Sequence, residues 1–278
     1  MKRFITVFFI LAACPVFSQS LINPANSVFN VYAEAEYGFA GVIYHTFQNG
    51  DSGTSFNYVT QGGQDILFPI GRVQAGVQYK RNIVNLLYQP LKIDTSVTFK
   101  DNVTIDTTTF AAGSAMDLTY SFPFWRITYL YDFNAKDDTT IAAGVSLQIR
   151  NASIVFADRS GTSLTVTQNV GPVPALSFLY EKKFKNRLTL TYDITGIYAS
   201  SALFNGANYN FEGSLIDTSL KAGIELKNNT RCFIGLRFLG GTANGYSKNT
   251  GGTWTESSSA YTDNKLATFS VTTGIKIY

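Results

Sequence analysis

The chain has 278 residues, of which 45% are hydrophobic and only 15% charged, well under the quarter or so that soluble domains carry. The formal charge is +3, and subtracting Lys2 and Arg3 leaves +1, which excludes the basic footprint of a nucleic-acid-binding protein. Thr, Ser, Asn, Gly, Tyr and Phe fill the gap left by charge. That mixture favours strands and turns, and no long window sustains a 3.6-residue apolar period.

The first elements are not strands. Met1-Lys2-Arg3 followed by the apolar run from Phe4 to Ala13 reads as an export signal. Val16-Phe17-Ser18 supplies the cleavage site, and Gln19 opens the mature chain. Leu11-Ala12-Ala13-Cys14 also fits a lipoprotein box, in which Cys14 would carry the lipid. The signal reading divides the chain into a signal peptide at 1–18 and a barrel domain at 19–278. Cys232 is then the single remaining cysteine, so no intrachain disulfide can form. No run of 18 apolar residues follows, so no transmembrane helix is expected.

From residue 29 onward the chain alternates with period two. Val73, Ala75, Val77 and Tyr79 interleave with Arg72, Gln74, Gln78 and Lys80. Ile141, Val145, Leu147 and Ile149 interleave with Gly144, Ser146, Gln148 and Arg150. Leu188, Leu190, Tyr192 and Ile194 interleave with Thr189, Thr191, Asp193 and Thr195. Phe269, Val271, Ile275 and Ile277 interleave with Thr268, Ser270, Thr272 and Lys276. Each segment has one oily and one polar face. Ten strands are expected, near 29–47, 66–80, 82–98, 113–133, 138–156, 170–183, 187–200, 214–227, 230–240 and 265–278. A change of phase, with a bulge or bend, is expected at Phe122-Pro123-Phe124. The region around Phe56 and Tyr58 reads as an extension above a membrane.

Short turns near 81, 136, 184 and 228 alternate with long connections at 48–64, 99–112, 157–169, 201–213 and 240–264. Gly240-Gly241, Asn244-Gly245 and Gly251-Gly252 mark the last as loop. Alternating short and long connections are the pattern of an outer-membrane barrel. The fold expected is therefore an all-β, transmembrane, antiparallel up-and-down barrel of about ten strands, with eight or twelve as alternatives, in the bacterial outer membrane. A secreted soluble β-sandwich is the competing architecture. Tyr79, Tyr129, Tyr131, Phe133, Tyr180, Phe184, Tyr198 and Tyr278 stand near strand ends, where aromatic girdles form. The strand ending at Tyr278 is expected to engage the barrel-assembly machinery, although Tyr278 is out of phase with Ile275 and Ile277. Outer-membrane lipid is the other expected partner.

Arg126-Ile127-Thr128-Tyr129-Leu130-Tyr131-Asp132-Phe133, Ala143 to Ala152 and Gly171-Pro172-Val173-Pro174-Ala175-Leu176 follow one another in a characteristic order. With Leu87-Tyr88-Gln89-Pro90-Leu91 upstream, they resemble a family of uncharacterised bacterial outer-membrane barrels over roughly residues 70–240. Leu130 stands where that family commonly has Arg, and Asn151 where it has Asp. The resemblance implies fold and location, and no activity.

Chemistry-bearing residues are few. His45 is the sole histidine, and a catalytic role would need a Ser or acidic partner that the sequence does not identify. No catalytic set, metal site or cofactor is expected. The polar faces carry Glu34, Glu36, Arg72, Arg126, Asp132, Arg150, Asp193, Lys221, Glu225, Arg231 and Arg237. In a narrow barrel these side chains would pair and fill the lumen, or leave a polar conduit favouring anions. The function expected is structural, surface-binding or limited permeation. A membrane-embedded hydrolase acting on lipid or peptide is the alternative.

Overall fold

A computed structural model describes residues 29–134, 136–200, 211–226, 228–247 and 260–278. The expected export signal, with Cys14, and parts of the 201–213 and 240–264 connections lie outside the described residues. The strands are β1 (Phe29–Asn49), β2 (Phe56–Asn57), β3 (Leu67–Tyr79), β4 (Asn82–Gln89) and β5 (Lys92–Thr98). Then come β6 (Val103–Ile105), β7 (Thr108–Phe110), β8 (Ala115–Ser121), β9 (Phe124–Asp132) and β10 (Thr139–Asp158). The last are β11 (Leu164–Lys183), β12 (Leu188–Ser200), β13 (Phe211–Leu226), β14 (Thr230–Ser247) and β15 (Ala260–Ile277).

Antiparallel pairing runs β1, β3, β4, β9, β10, β11, β12, β13, β14, β15 and back to β1, closing a barrel of ten strands. Over the levels where all ten strands pair, closure removes the free edges that an open sheet would expose. One end carries short turns. At the other end the strands extend well beyond the apolar belt.

Two adjacent strands break at proline. The expected 82–98 strand divides at Pro90 into β4 and β5, and the 113–133 strand divides at Pro123 into β8 and β9. Proline cannot donate to the ladder, so the pairing lapses there. It resumes in the same register: Gln89 opposes Phe124 below the break and Lys92 opposes Ser121 above it. The expected phase change therefore does not occur. Even-numbered residues point inward on both sides, as Phe124, Arg126, Thr128 and Leu130 in β9 and Met116, Leu118 and Tyr120 in β8. What inverts is the chemistry. In β9 the outward Trp125, Ile127 and Tyr129 are oily and Arg126 and Thr128 are inside. In β8 the outward residues are Asp117 and Thr119, and the inside is apolar.

That inversion builds a second core at the extended end. Phe47, Phe56, Tyr58, Phe99, Phe110, Met116, Leu118 and Phe156 pack together with Ile105, Val103 and Leu91, all fully or nearly buried. Phe56 is central, its ring 5.1 Å from Phe156, 5.3 Å from Tyr58 and 5.6 Å from Phe99. The connection expected to bear an extension at Phe56 and Tyr58 supplies β2, which pairs with β1 and folds into this core.

Other boundaries lengthen at the same end. β11 begins at Leu164, β14 runs to Ser247 and β15 starts at Ala260, so Gly240, Gly241 and Gly245 lie in a strand and not in a loop. Gly240 pairs with Ile216 and Ala267, and Gly241 with Leu215 and Leu266. Ladders on both sides override the weak strand preference of glycine.

A register shift between Val42 and Tyr44 marks a bulge in β1. Below it the odd residues Tyr37 and Phe39 face out; above it Tyr44 faces out and His45 and Phe47 face in. Simple alternation would have placed His45 outside, so the bulge re-aims it. Among the expected girdle residues Tyr79, Tyr129, Phe133, Phe184 and Tyr198 are exposed on the outer surface. Tyr278 is not part of the girdle. It shares the inward phase of Thr272 and Lys276, and its ring lies 5.4 Å from the Arg231 guanidinium at the short-turn mouth.

If the boundary between environments falls at Pro123, two outward substitutions on one strand line should differ. Ile127→Arg should lower stability in lipid vesicles by about 2–4 kcal/mol, the cost of a charge on the lipid face near the bilayer midplane. Thr119→Arg should cost under about 0.5 kcal/mol, as at an ordinary exposed site. Urea titration of folding into vesicles measures both, and equal losses would place the boundary wrongly.

Candidate functional site

The inward faces of the barrel strands converge on one buried network. Asp217, from β13, is its hub. Its Oδ1 accepts from Arg237 Nη1 at 2.6 Å, and its Oδ2 from Arg126 Nη1 at 2.8 Å, with Arg72 Nη1 at 3.5 Å. Glu36, on β1, accepts from Arg237 Nη2 at 3.2 Å and from Thr272 Oγ1 at 2.6 Å, and lies 3.7 Å from Lys221 Nζ and 4.0 Å from Arg72 Nε. Lys221 also binds Glu34. Arg126 donates from Nε and Nη2 to Gln148 Oε1 at 3.0 and 2.7 Å. The network thus ties β1, β3, β9, β10, β13, β14 and β15 across the lumen. A chain of hydroxyls, Thr128, Ser146, Ser177 and Thr195, links β9 to β12 beside it.

Nearer the short turns a second group forms around Arg231. Its Nη1 donates to Glu181 Oε2 at 2.8 Å, and its Nη2 to Glu225 Oε1 at 2.7 Å. Lys276 Nζ lies 4.0 Å from Glu181 and 3.9 Å from the Tyr32 ring centroid. Asp193 accepts from Ser219 Oγ. Together Arg72, Arg126, Lys221, Arg231, Arg237 and Lys276 face Glu34, Glu36, Glu181, Asp193, Asp217 and Glu225. Cations and carboxylates match in number, as a low-dielectric interior requires. The space left between the two groups is about 90 Å³, room for a few waters, and a wider hollow of about 480 Å³ opens past Glu181 and Lys276 at the short-turn mouth.

The expected polar-face residues are not all in this network. Asp132 points inward but accepts from the backbone N–H groups of Asn134 and Ile141, fixing the turn after β9. Leu130, the apolar residue on that polar face, packs with Ile83, Ala142 and Leu179. Arg150 stands apart: among the described residues it has no carboxylate partner, and its guanidinium lies 5.9 Å from the Phe122 ring centroid.

The sequence reading missed Asp217, Glu181, Gln148 and Lys276 as members. The signal was present, since Asp217 shares the inward parity of Ser219 and Lys221, and Glu181 that of Ser177. Asp217 is isolated among apolar and hydroxyl neighbours, and one carboxylate cannot reveal from sequence that guanidinium groups from three other strands meet it.

His45 is fully buried beneath the aromatic core. Its Nδ1 lies 2.6 Å from Gln64 Oε1, its ring stacks on Tyr58 at 4.1 Å, and Tyr120 meets its edge at 4.3 Å. Its partner is thus an amide, and neither Ser nor a carboxylate is hydrogen-bonded to it among the described residues.

No known family profile matches the chain, and no curated protein is similar to it in sequence. Solved structures are similar in fold. The outer membrane protease OmpT from Escherichia coli aligns over 89% of this chain and 96% of its own, with 7% identity and a TM-score of 0.51. The outer membrane protein OprG from Pseudomonas aeruginosa aligns over 89% and 96%, with 8% identity and a TM-score of 0.34. Ail of Yersinia pestis aligns over 87% and 99%, with 7% identity and a TM-score of 0.27. At such identities the likeness to OmpT speaks to fold alone, and the fold is that of an outer-membrane β-barrel.

Removing the hub leaves Arg126 and Arg237 buried without their nearest carboxylate. Asp217→Ala should therefore cost about 3–5 kcal/mol. Asp132→Asn, which keeps a side-chain oxygen acceptor for the turn, should cost under about 1.5 kcal/mol. Denaturant unfolding of both variants in the same micelles provides the comparison.

Proposed function

We propose that this protein is a bacterial outer-membrane barrel, closed along its axis, that holds a folded β-structure at the outer surface. The observation that carries this reading is the Asp217-centred network, which crosses the lumen and is itself capped by the aromatic core around Phe56. Two successive barriers of opposite chemistry suit neither ions nor apolar solutes. The lumen charges serve to rigidify the barrel, and the short turns lie on the periplasmic side. The motif resemblance supports membership of the uncharacterised barrel family, and the outward Phe269, Val271 and Ile275 of β15 are the residues offered to lipid and to the assembly machinery.

The hydrolase alternative draws on the fold shared with a protease, but His45 does not favour it. Its ring is enclosed by Tyr58 and Tyr120, and its hydrogen-bonded partner is the Gln64 amide. We assign His45 to packing of the surface core.

Reconstituted in planar bilayers, the protein should show no stable conductance steps in several chloride salts. Regular steps in the wild type that track protein concentration would contradict closure.

A further inference from the structure

The wall of the barrel is not paired at every level. β11 and β12 share a ladder only from Lys183↔Thr189 to Leu176↔Gly196. Above that point, among the described residues, β11 pairs with β10 alone, through to Ala157↔Leu164, and β12 pairs with β13 alone, through to Ser200↔Glu212. The sequence supplies the reason. Pro172 and Pro174 lack N–H groups, and residues two apart in a strand direct their backbone nitrogens to the same edge. The β10 ladder runs unbroken past Leu147↔Pro174 and Ile149↔Pro172. Both missing donors therefore lie on the edge facing β12, and pairing there ends.

Behind this seam lies a chamber of about 370 Å³, within the range usual for small-molecule pockets. Leu91, Leu215, Leu239 and Leu266 give it apolar walls, and Gly241, where a Cβ would stand 3.8 Å from Leu215 Cδ1, leaves it room. Both inward residues, such as Val173 and Ile197, and outward ones, such as Pro174 and Tyr198, line it. The chamber therefore reaches through the wall at the seam. The register sets its height: Pro172 opposes Ile149, which opposes Trp125, and both of these are half exposed on the oily outer belt. The mouth opens at the level of lipid.

Arg150 lines the same chamber. The lumen network is charge-matched without it, and among the described residues neither its Nε nor the amide nitrogen of the neighbouring Gln148 has a hydrogen-bond partner. An unpaired guanidinium in a mainly apolar chamber calls for an anion. We propose that the β11–β12 seam is a lateral entrance, and that the chamber takes a single-chain anionic amphiphile from the surrounding lipid. Its acid group meets Arg150 and Gln148, and its chain lies along the leucine walls. The proposal rests on the outer-membrane barrel reading, but not on whether the axis conducts.

The test uses radiolabelled dodecanoate and the full-length barrel in nanodiscs, with empty nanodiscs as background. Gel mobility before and after heating verifies that each variant is folded, which separates a failed barrel from a failed site. Saturable binding at one site per barrel is expected, with dodecanol at least tenfold weaker. Arg150→Gln should weaken dodecanoate binding at least tenfold, Arg150→Lys should retain most of it, and Leu239→Trp, which fills the chamber, should abolish it. No saturable binding above empty nanodiscs, or equal binding by wild type and Arg150→Gln, or by acid and alcohol, would overturn the site. For the entrance, Ala175→Cys with Ile197→Cys in a Cys232→Ser background should staple the seam. Oxidation should then slow uptake at least tenfold, and reduction should restore it. An unchanged rate when the disulfide has formed would overturn the lateral route.

Discussion

Everything in this barrel follows from which solvent touches the outer face of each strand. Where that solvent is lipid, the outward residues must be oily, and the polar residues of the alternating pattern have only the lumen to occupy. A charge placed there is desolvated, and it is tolerated only with a partner. On the outer-membrane reading, the ion-paired network is thus the consequence of putting a period-two sequence in a membrane. Asp217 shows how tightly the solution is constrained, since β3, β9 and β14 each bring an arginine to one carboxylate. Where the outer solvent becomes water, the same strands keep their register and exchange the contents of their faces. Pro90 and Pro123 sit at that exchange, and the aromatic core of the extended end begins immediately beyond them.

Much of this was legible in the sequence. The alternation of Trp125, Ile127 and Tyr129 with Arg126 and Thr128 defines both faces of β9 directly, and the spacing of short turns yields ten strands. The rest was hidden for physical reasons. Apolar residues change parity near Pro123, which in sequence looks like a change of phase, because parity records hydrophobicity and not direction. The geometry needed to separate the two is the continuous register with β10. The bulge before Tyr44 was equally invisible, since nothing in Val42-Ile43-Tyr44-His45 marks an extra residue in the pairing. The length of β14 was missed because glycine pairs usually punctuate, and here two neighbouring ladders hold them in a strand.

The candidate site divides in the same way. Individual inward charges were readable from parity, but their partnerships are long-range contacts that no local pattern encodes. Arg150 illustrates the point. In sequence it looks like Arg126, an arginine on the polar face of an alternating strand. In the fold it lies toward the extended end, beyond the reach of the carboxylates, and faces the chamber behind the seam at Pro172 and Pro174. Two residues of one type on neighbouring strands therefore differ: one is neutralised within the lumen network, and the other has no counter-ion among the described residues.

Charges from opposite walls of the barrel hold each other across the lumen. A double-mutant cycle between Arg126 on β9 and Asp217 on β13, using Arg126→Met and Asp217→Asn and denaturant unfolding in vesicles, tests it most directly. A favourable coupling energy of about 0.5–3 kcal/mol is expected, as for contacting residues in one network. Strictly additive losses would mean that the two groups do not sense each other across the lumen and that the network does not tie the walls together.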